Sequence, residues 1–190
     1  WARARATTRW EGCAAVIKFR ILADKVEAAF AELGPNSPKT LRALEAFARV
    51  LRTRIQLGFR MSKDPWGGAW KPLNPTLTRK GQPLVNTRKL YSSVGVRRDG
   101  NGIRVGTNLR TPTGGHSLGA VHQFGATIKP KAGKYLVWAP AGAKGLVFAE
   151  QVTIPARPFM PIRPNGQVDL PEAWAKSALS AMARALEVPA

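Results

Sequence analysis

Cysteine, histidine and acid are scarce in this sequence. Of its 190 residues one is cysteine (Cys13), two are histidine (His116 and His122) and 11 are Asp or Glu, against 30 Lys and Arg. A single cysteine excludes an intrachain disulfide framework. A chain of this length can bury roughly 70% of its unfolded surface and needs no such staple. The histidines lie six apart with no Cys, Asp or Glu between them, which fails the spacing of common zinc sites. A metal-dependent nuclease needs clustered carboxylates to hold its metal, yet Asp64, Asp99 and Glu150 have no partner at motif spacing. No elbow glycines flank Ser92-Ser93, and no phosphate-loop lysine follows Gly100-x-Gly102 or Gly114-Gly115. No stretch approaches the roughly 18 apolar residues of a membrane span, and Trp1–Gly12 is too polar for the apolar region of a signal peptide. Together these absences point away from an enzyme, from a metal or cofactor and from a membrane, and toward a cytoplasm-like compartment.

What is abundant is positive charge. The formal net charge is +19. Between Pro65 and Ala149 there are 13 Lys or Arg residues and a single acid, Asp99. A field of that sign attracts polyanions or an acidic protein face.

Along the chain, residues 1–14 read as a basic arm, with Arg3, Arg5 and Arg9 beside Trp1 and Trp10 and no apolar period. Residues 15–190 read as one domain. Ala15–Leu22 alternates as a strand with one apolar face, and Asp24 caps a short helix that ends at Gly34. Ser37-Pro38 starts the clearest helix, in which Leu41, Leu44, Phe47, Leu51, Ile55 and Phe59 recur at three- and four-residue steps as far as Arg60. Three prolines and a Gly-Gly pair make 64–75 a loop, pinned by Trp66 and Trp70. Short helical turns are expected at 76–80, 87–92 and 118–123. Asp99-Gly100-Asn101-Gly102 predicts a hairpin between Val94–Arg98 and Ile103–Gly106. Tyr135–Trp138 and Leu146–Ala149 read as two further strands, and Pro171–Leu186 as a second helix capped by Asp169. The fold class is α+β: a mostly antiparallel sheet with a hairpin, packed by a long helix in the N-terminal half and by a C-terminal helix.

The stretch Val121–Pro164 organises the rest. Its closing run, Ile154-Pro155-Ala156-Arg157-Pro158-Phe159-Met160-Pro161, lacks three backbone donors and has φ fixed at three positions. It reads as a segment that wraps a sheet edge. Arg157 is held on that stiff backbone. It suits either a bond to a carbonyl or carboxylate of the same chain or a contact across a subunit boundary.

Four blocks resemble the phage virion morphogenesis family, the Mu-type tail completion proteins. They are Phe59 followed by Asp64-Pro65-x-Gly67-x-x-Trp70-x-Pro72-Leu73 and Thr76; Leu84-Val85-Asn86-Thr87-x-x-Leu90-x-x-Ser93-Val94; Val105-Gly106-Thr107; and His122-Gln123-Phe124-Gly125 followed by Pro155-Ala156-Arg157-Pro158-Phe159. Two positions depart from the family pattern: Arg88 stands where glycine is usual, and Leu118 where an aromatic is. The resemblance implies a structural, non-enzymatic virion protein that completes the tail or joins it to the head. It implies a ring, hexameric in related neck proteins, around the DNA channel, with tail-tube and head-connector proteins as neighbours. Trp66, Trp70, His122, Gln123, Arg157 and Phe159 are then candidates for a subunit or partner interface. Arg97, Arg98, Arg104 and Arg110 are candidates for contact with DNA or an acidic ring. The composition fits equally a monomeric or dimeric nucleic-acid-binding protein without sequence preference.

Overall fold

The computed structural model describes residues 5–7, 16–20, 34, 37–73, 81–100, 102–111, 116–131, 133–139 and 145–187. In chain order these carry strands β1 (Arg5–Thr7) and β2 (Val16–Arg20), helices α1 (Pro38–Met61) and α2 (Lys89–Ser93), and strands β3 (Gly95–Asp99) and β4 (Gly102–Gly106). Helix α3 (Leu118–Phe124) follows, then strands β5 (Ala126–Ile128), β6 (Leu136–Trp138), β7 (Val147–Ala149) and β8 (Val152–Ile154), and helix α4 (Glu172–Glu187). The class is α+β, as the sequence pattern predicts. The helix expected at 24–33 and the turn expected at 76–80 lie outside the described residues, as do Asn101 and the loop between β6 and β7. Within the stretch read as an arm, Arg5–Thr7 pairs with β2.

Four strands form an antiparallel sheet in the order β1-β2-β4-β3. The remaining strands make two separate pairs, β5 with β8 and β6 with β7. Side chains alternate across a strand, so β4 sends Ile103 and Val105 into the core, where both are buried, and Arg104 to the opposite face. The helix α1 covers the Ile103–Val105 side, sharing one apolar cluster with it through Ala48, Ile55 and Phe59.

Helix α1 begins where the sequence says it should. The Ser37 hydroxyl accepts the Thr40 N–H at 3.1 Å, and Pro38 occupies the first helical turn, where no amide partner is needed. A second line of residues on α1, Ala43, Phe47 and Leu51, meets Ala178 and Met182 of α4. Ala43 and Ala178 are fully buried, and small side chains there let the two helices lie close. Asp169, read as the cap of α4, does other work. Its carboxylate accepts the Arg163 Nε–H at 2.6 Å, and the helix starts three residues later with the Pro171 carbonyl taking the Trp174 and Ala175 amides.

Arg88, standing where the family pattern has glycine, has φ 54° at the entrance to α2. Its carbonyl accepts both the amide (2.8 Å) and the hydroxyl (2.9 Å) of Ser92, which holds it there. Left-handed backbone costs an L-residue about 1–2 kcal/mol, partly offset by the extra chain entropy glycine loses on folding. Arg88→Gly is therefore expected to raise the unfolding free energy by about 0.5–1 kcal/mol, and Arg88→Val to lower it. Urea titrations of the two variants against the parent check both signs.

Candidate functional site

The motif residues converge on one side chain, Gln123. Helix α3, capped by the Ser117 hydroxyl on the Ala120 N–H, carries Gln123 inward to 1% exposure. Its Oε1 accepts the amides of Phe159 and Met160, each at 3.0 Å. Its Nε2 donates to the carbonyls of Met160 and Ile162, each at 2.9 Å. The preceding residue helps: the His122 carbonyl accepts the Arg157 N–H at 2.7 Å. The proline run was expected to wrap a sheet edge. Instead it passes through the core, with Arg157, Phe159, Met160, Pro161 and Ile162 buried. The physical reason is that an amide side chain supplies the partners a neighbouring strand would otherwise supply.

Two glycines make this approach possible. A Cβ on Gly119 would lie 2.6 Å from Thr107 Cγ2, and one on Gly125 would lie 2.9 Å from the Ile154 carbonyl oxygen. Gly125 also has φ 77°.

Around the clamp the aromatic residues form a single nest. Phe59 touches Phe159 (5.2 Å between centroids, tilted), Trp70 (5.5 Å, edge-on) and Tyr91 (5.9 Å, edge-on). Trp70 Nε1–H donates to the Pro158 carbonyl at 2.7 Å. The Arg157 guanidinium, 7% exposed, donates through Nε to the Lys71 carbonyl (2.9 Å) and through Nη2 to the Pro72 carbonyl (3.1 Å). Of the two uses open to Arg157, the structure displays the intrachain one. Trp66 lies apart from this nest. Its Nε1–H donates to the Asp169 carbonyl at 3.2 Å, and the Arg163 guanidinium sits 3.8 Å above its ring. So Trp70, Gln123, Arg157 and Phe159 come together inside one copy, His122 borders them, and Trp66 packs separately.

Beside the clamp a groove of about 470 Å³ opens between α2, α3 and the segment after Trp70. Leu73, Leu84, Leu90, Leu109 and Leu118 line it, with His122 and Arg157 at one wall. The His122 Nδ1 is buried and has no hydrogen-bond partner among the described residues. Burial holds this imidazole below its usual 6.5, and the Arg157 guanidinium pushes the same way.

The four candidate arginines separate. Arg97 and Arg104 are register partners on the sheet face away from α1. There they border a shallow depression of about 530 Å³ with Ser92, Ser93 and Asn108. Arg104 also pairs with Asp99. Arg98 pairs in register with buried Ile103, so it turns to the helix side, where its Nε meets Glu45 of α1 at 2.7 Å. Arg110 follows β4 and bridges to Ser117 near the groove. Among the described residues no three His, Cys, Asp or Glu side chains gather as a metal site.

Sequence reasoning placed the strands β6 and β7 but missed that their pair stands exposed. Tyr135, Val137, Trp138, Leu146, Val147 and Phe148 are all at least 36% exposed. The signal was present: both strands are apolar at successive positions, without the alternation of a strand with one wet face.

Comparison with known proteins agrees with the motif blocks. The model of the phage virion morphogenesis family matches residues 22–177. The Mu-like prophage FluMu G protein 2 of Haemophilus influenzae is 27% identical over 150 residues, covering 79% of this chain and 86% of that protein. No solved structure matches.

Two predictions follow from the clamp. Gln123→Leu strands two amides and two carbonyls in the core, each costing about 1–3 kcal/mol when unpaired. With partial relaxation the expected loss is about 3–5 kcal/mol in a denaturant titration. The second concerns acid. Because His122 is held below its usual value in the folded chain, the unfolded chain binds the proton first as pH falls. Stability should be flat above 6.5 and decline below it toward the lowered folded value. His122→Gln should remove that component of the melting-temperature profile.

Proposed function

The chain belongs to the phage virion morphogenesis family, and on that premise we propose that it is a structural, non-enzymatic virion protein. It completes the phage tail or joins the tail to the head. Copies assemble as a ring, hexameric by analogy with related neck proteins, around the DNA channel. One observation carries this reading. The residues that form the family blocks, among them Phe59, Trp70, Leu90, Val94, Val105 and Phe159, pack into a single cluster. What these blocks specify is a scaffold. Function then falls to the surfaces that the scaffold displays.

The surface with the clearest charge is the sheet face away from α1. Arg97 and Arg104 are register partners, and Lys18 of β2 is in turn the register partner of Arg104. Further along the ladder Arg20 is the register partner of Arg5 of β1. The Arg97–Arg104 pair gives this face the positive charge that attracts a polyanion or an acidic ring. In the proposed ring this face meets either the DNA in the channel or the acidic face of a neighbouring ring. The same charge favours a second reading, sequence-independent nucleic-acid binding by a monomer or dimer. Light scattering on the purified chain with and without DNA separates the two.

The test in the virus is direct. A phage lacking this chain should fill its heads and build tail tubes yet yield no joined particles by electron microscopy. Normal joined particles would contradict the proposal. At the level of residues, Arg97→Gln with Arg104→Gln should fold like the parent. The double variant should flatten the dependence of log K on log salt by about 1–2, since each phosphate neutralised contributes about 0.9. Arg98→Gln, on the helix side, should leave that slope unchanged.

A further inference from the structure

The strands β6 and β7 pair Leu136 with Ala149, Val137 with Phe148 and Trp138 with Val147. Register partners share a face. One face of this ribbon therefore carries Val137 and Phe148, and the other carries Leu136, Trp138, Val147 and Ala149. Both faces are apolar, and both are open to solvent: Val137 is 52% exposed, Phe148 61%, and Trp138 and Val147 36% each. Among the described elements each strand packs substantially only on the other. A two-stranded ribbon by itself is marginal in water, and a strand with two apolar faces is the pattern of one covered on both sides.

Charge and area identify the cover. In a chain that is 22% charged, 135–139 and 145–149 contain no charged residue. The flanking charges lie outside the paired strands: Lys134, over the Tyr135 ring at 5.3 Å, and Glu150 at one end, and Lys144 in the sequence that joins the two strands. Two copies of a chain of charge +19 repel. A charge-free ribbon is where they can meet without burying like charges against each other, whereas an acidic partner would be met by the basic faces. The six exposed side chains from Tyr135 to Phe148 leave on the order of 500 Å² of apolar surface, if a large side chain buries about 150–250 Å². That is more than half of the ~800 Å² per partner in a standard interface. The receiving surface is on the same chain: the leucine-lined groove of about 470 Å³ between α2 and α3.

We propose that the β6–β7 ribbon of one copy lies in the leucine groove of a second copy of this chain. Ribbon and groove are different surfaces, so the contact is head-to-tail, the kind that closes into a ring when its rotation permits. This rests on the ring reading of the protein's function and supplies its joint.

The test is oligomeric mass by light scattering of the full chain. The ribbon variant is Val137→Ser with Phe148→Ser, and the groove variant is Leu118→Lys. The parent should form a closed oligomer, and each variant alone should be monomeric with unchanged circular dichroism and melting temperature. The two variants mixed should give a dimer and nothing larger, because one intact ribbon and one intact groove remain. If the groove variant melts early, a cysteine pair replaces it. With Cys13→Ser throughout, a Leu118→Cys copy and a Phe148→Cys copy should oxidise to a mixed disulfide that neither forms alone. A ribbon variant with the parent's mass would overturn the proposal and leave the ring reading standing. Monomeric variants that give no dimer on mixing and no mixed disulfide would overturn the groove as receiver. A parent that stays monomeric at every concentration would overturn the proposal and the ring reading together.

Discussion

The structure depends on four hydrogen bonds made by one amide. A chain segment with prolines at 155, 158 and 161 cannot take part in a ladder, yet it supplies Phe159, Met160 and Ile162 to the core. Its remaining amides and carbonyls had to find partners in a place without water. Gln123 meets two of each with a single planar group. An amide suits this, because the task needs two donors and an oxygen that accepts twice on one planar group. Once the segment is held, Phe159 reaches Phe59, Trp70 reaches the Pro158 carbonyl, and Arg157 reaches the carbonyls of Lys71 and Pro72. The loop after α1 is thereby fastened to the far end of the chain.

This arrangement divides the molecule into a scaffold and its displays. The interior couples elements distant in sequence, α1 with the 155–162 run and with α4, so that the sheet face and the groove are fixed relative to one another. Those surfaces differ in kind. One is a basic sheet face bearing Arg97 and Arg104, one a leucine-lined groove, and one an apolar ribbon at β6–β7. For a protein whose family serves virion morphogenesis, the display of several unlike surfaces is the relevant capacity.

Much of the fold was legible because local rules and tertiary packing agree. Ser37-Pro38 and the three-to-four-residue apolar step defined α1 almost to its last turn, and Asp99-Gly100 marked the hairpin. The failures have identifiable causes. Asp169 has the residue type of a cap, but Arg163 competes for its carboxylate. Proline spacing reads as an edge only while backbone is the assumed partner. The part played by Gln123 depends on a contact 36 to 39 positions away, which no local pattern encodes. The arginines of the β3–β4 hairpin were grouped by proximity in sequence, whereas strand alternation sends Arg97 and Arg98 to opposite faces. The open ribbon was visible as two unbroken apolar runs, but such runs read equally as buried core, and only the fold shows nothing described lying over them.

The central claim is that the Gln123 clamp holds the scaffold as one unit. Native-state hydrogen exchange of the Phe159 and Met160 amides tests it most directly. If the clamp opens only when the whole chain unfolds, both amides will exchange with the free energy of global unfolding obtained from denaturant titration. Exchange through a local opening of clearly lower free energy, comparable with that of the β6–β7 ribbon, would contradict the account.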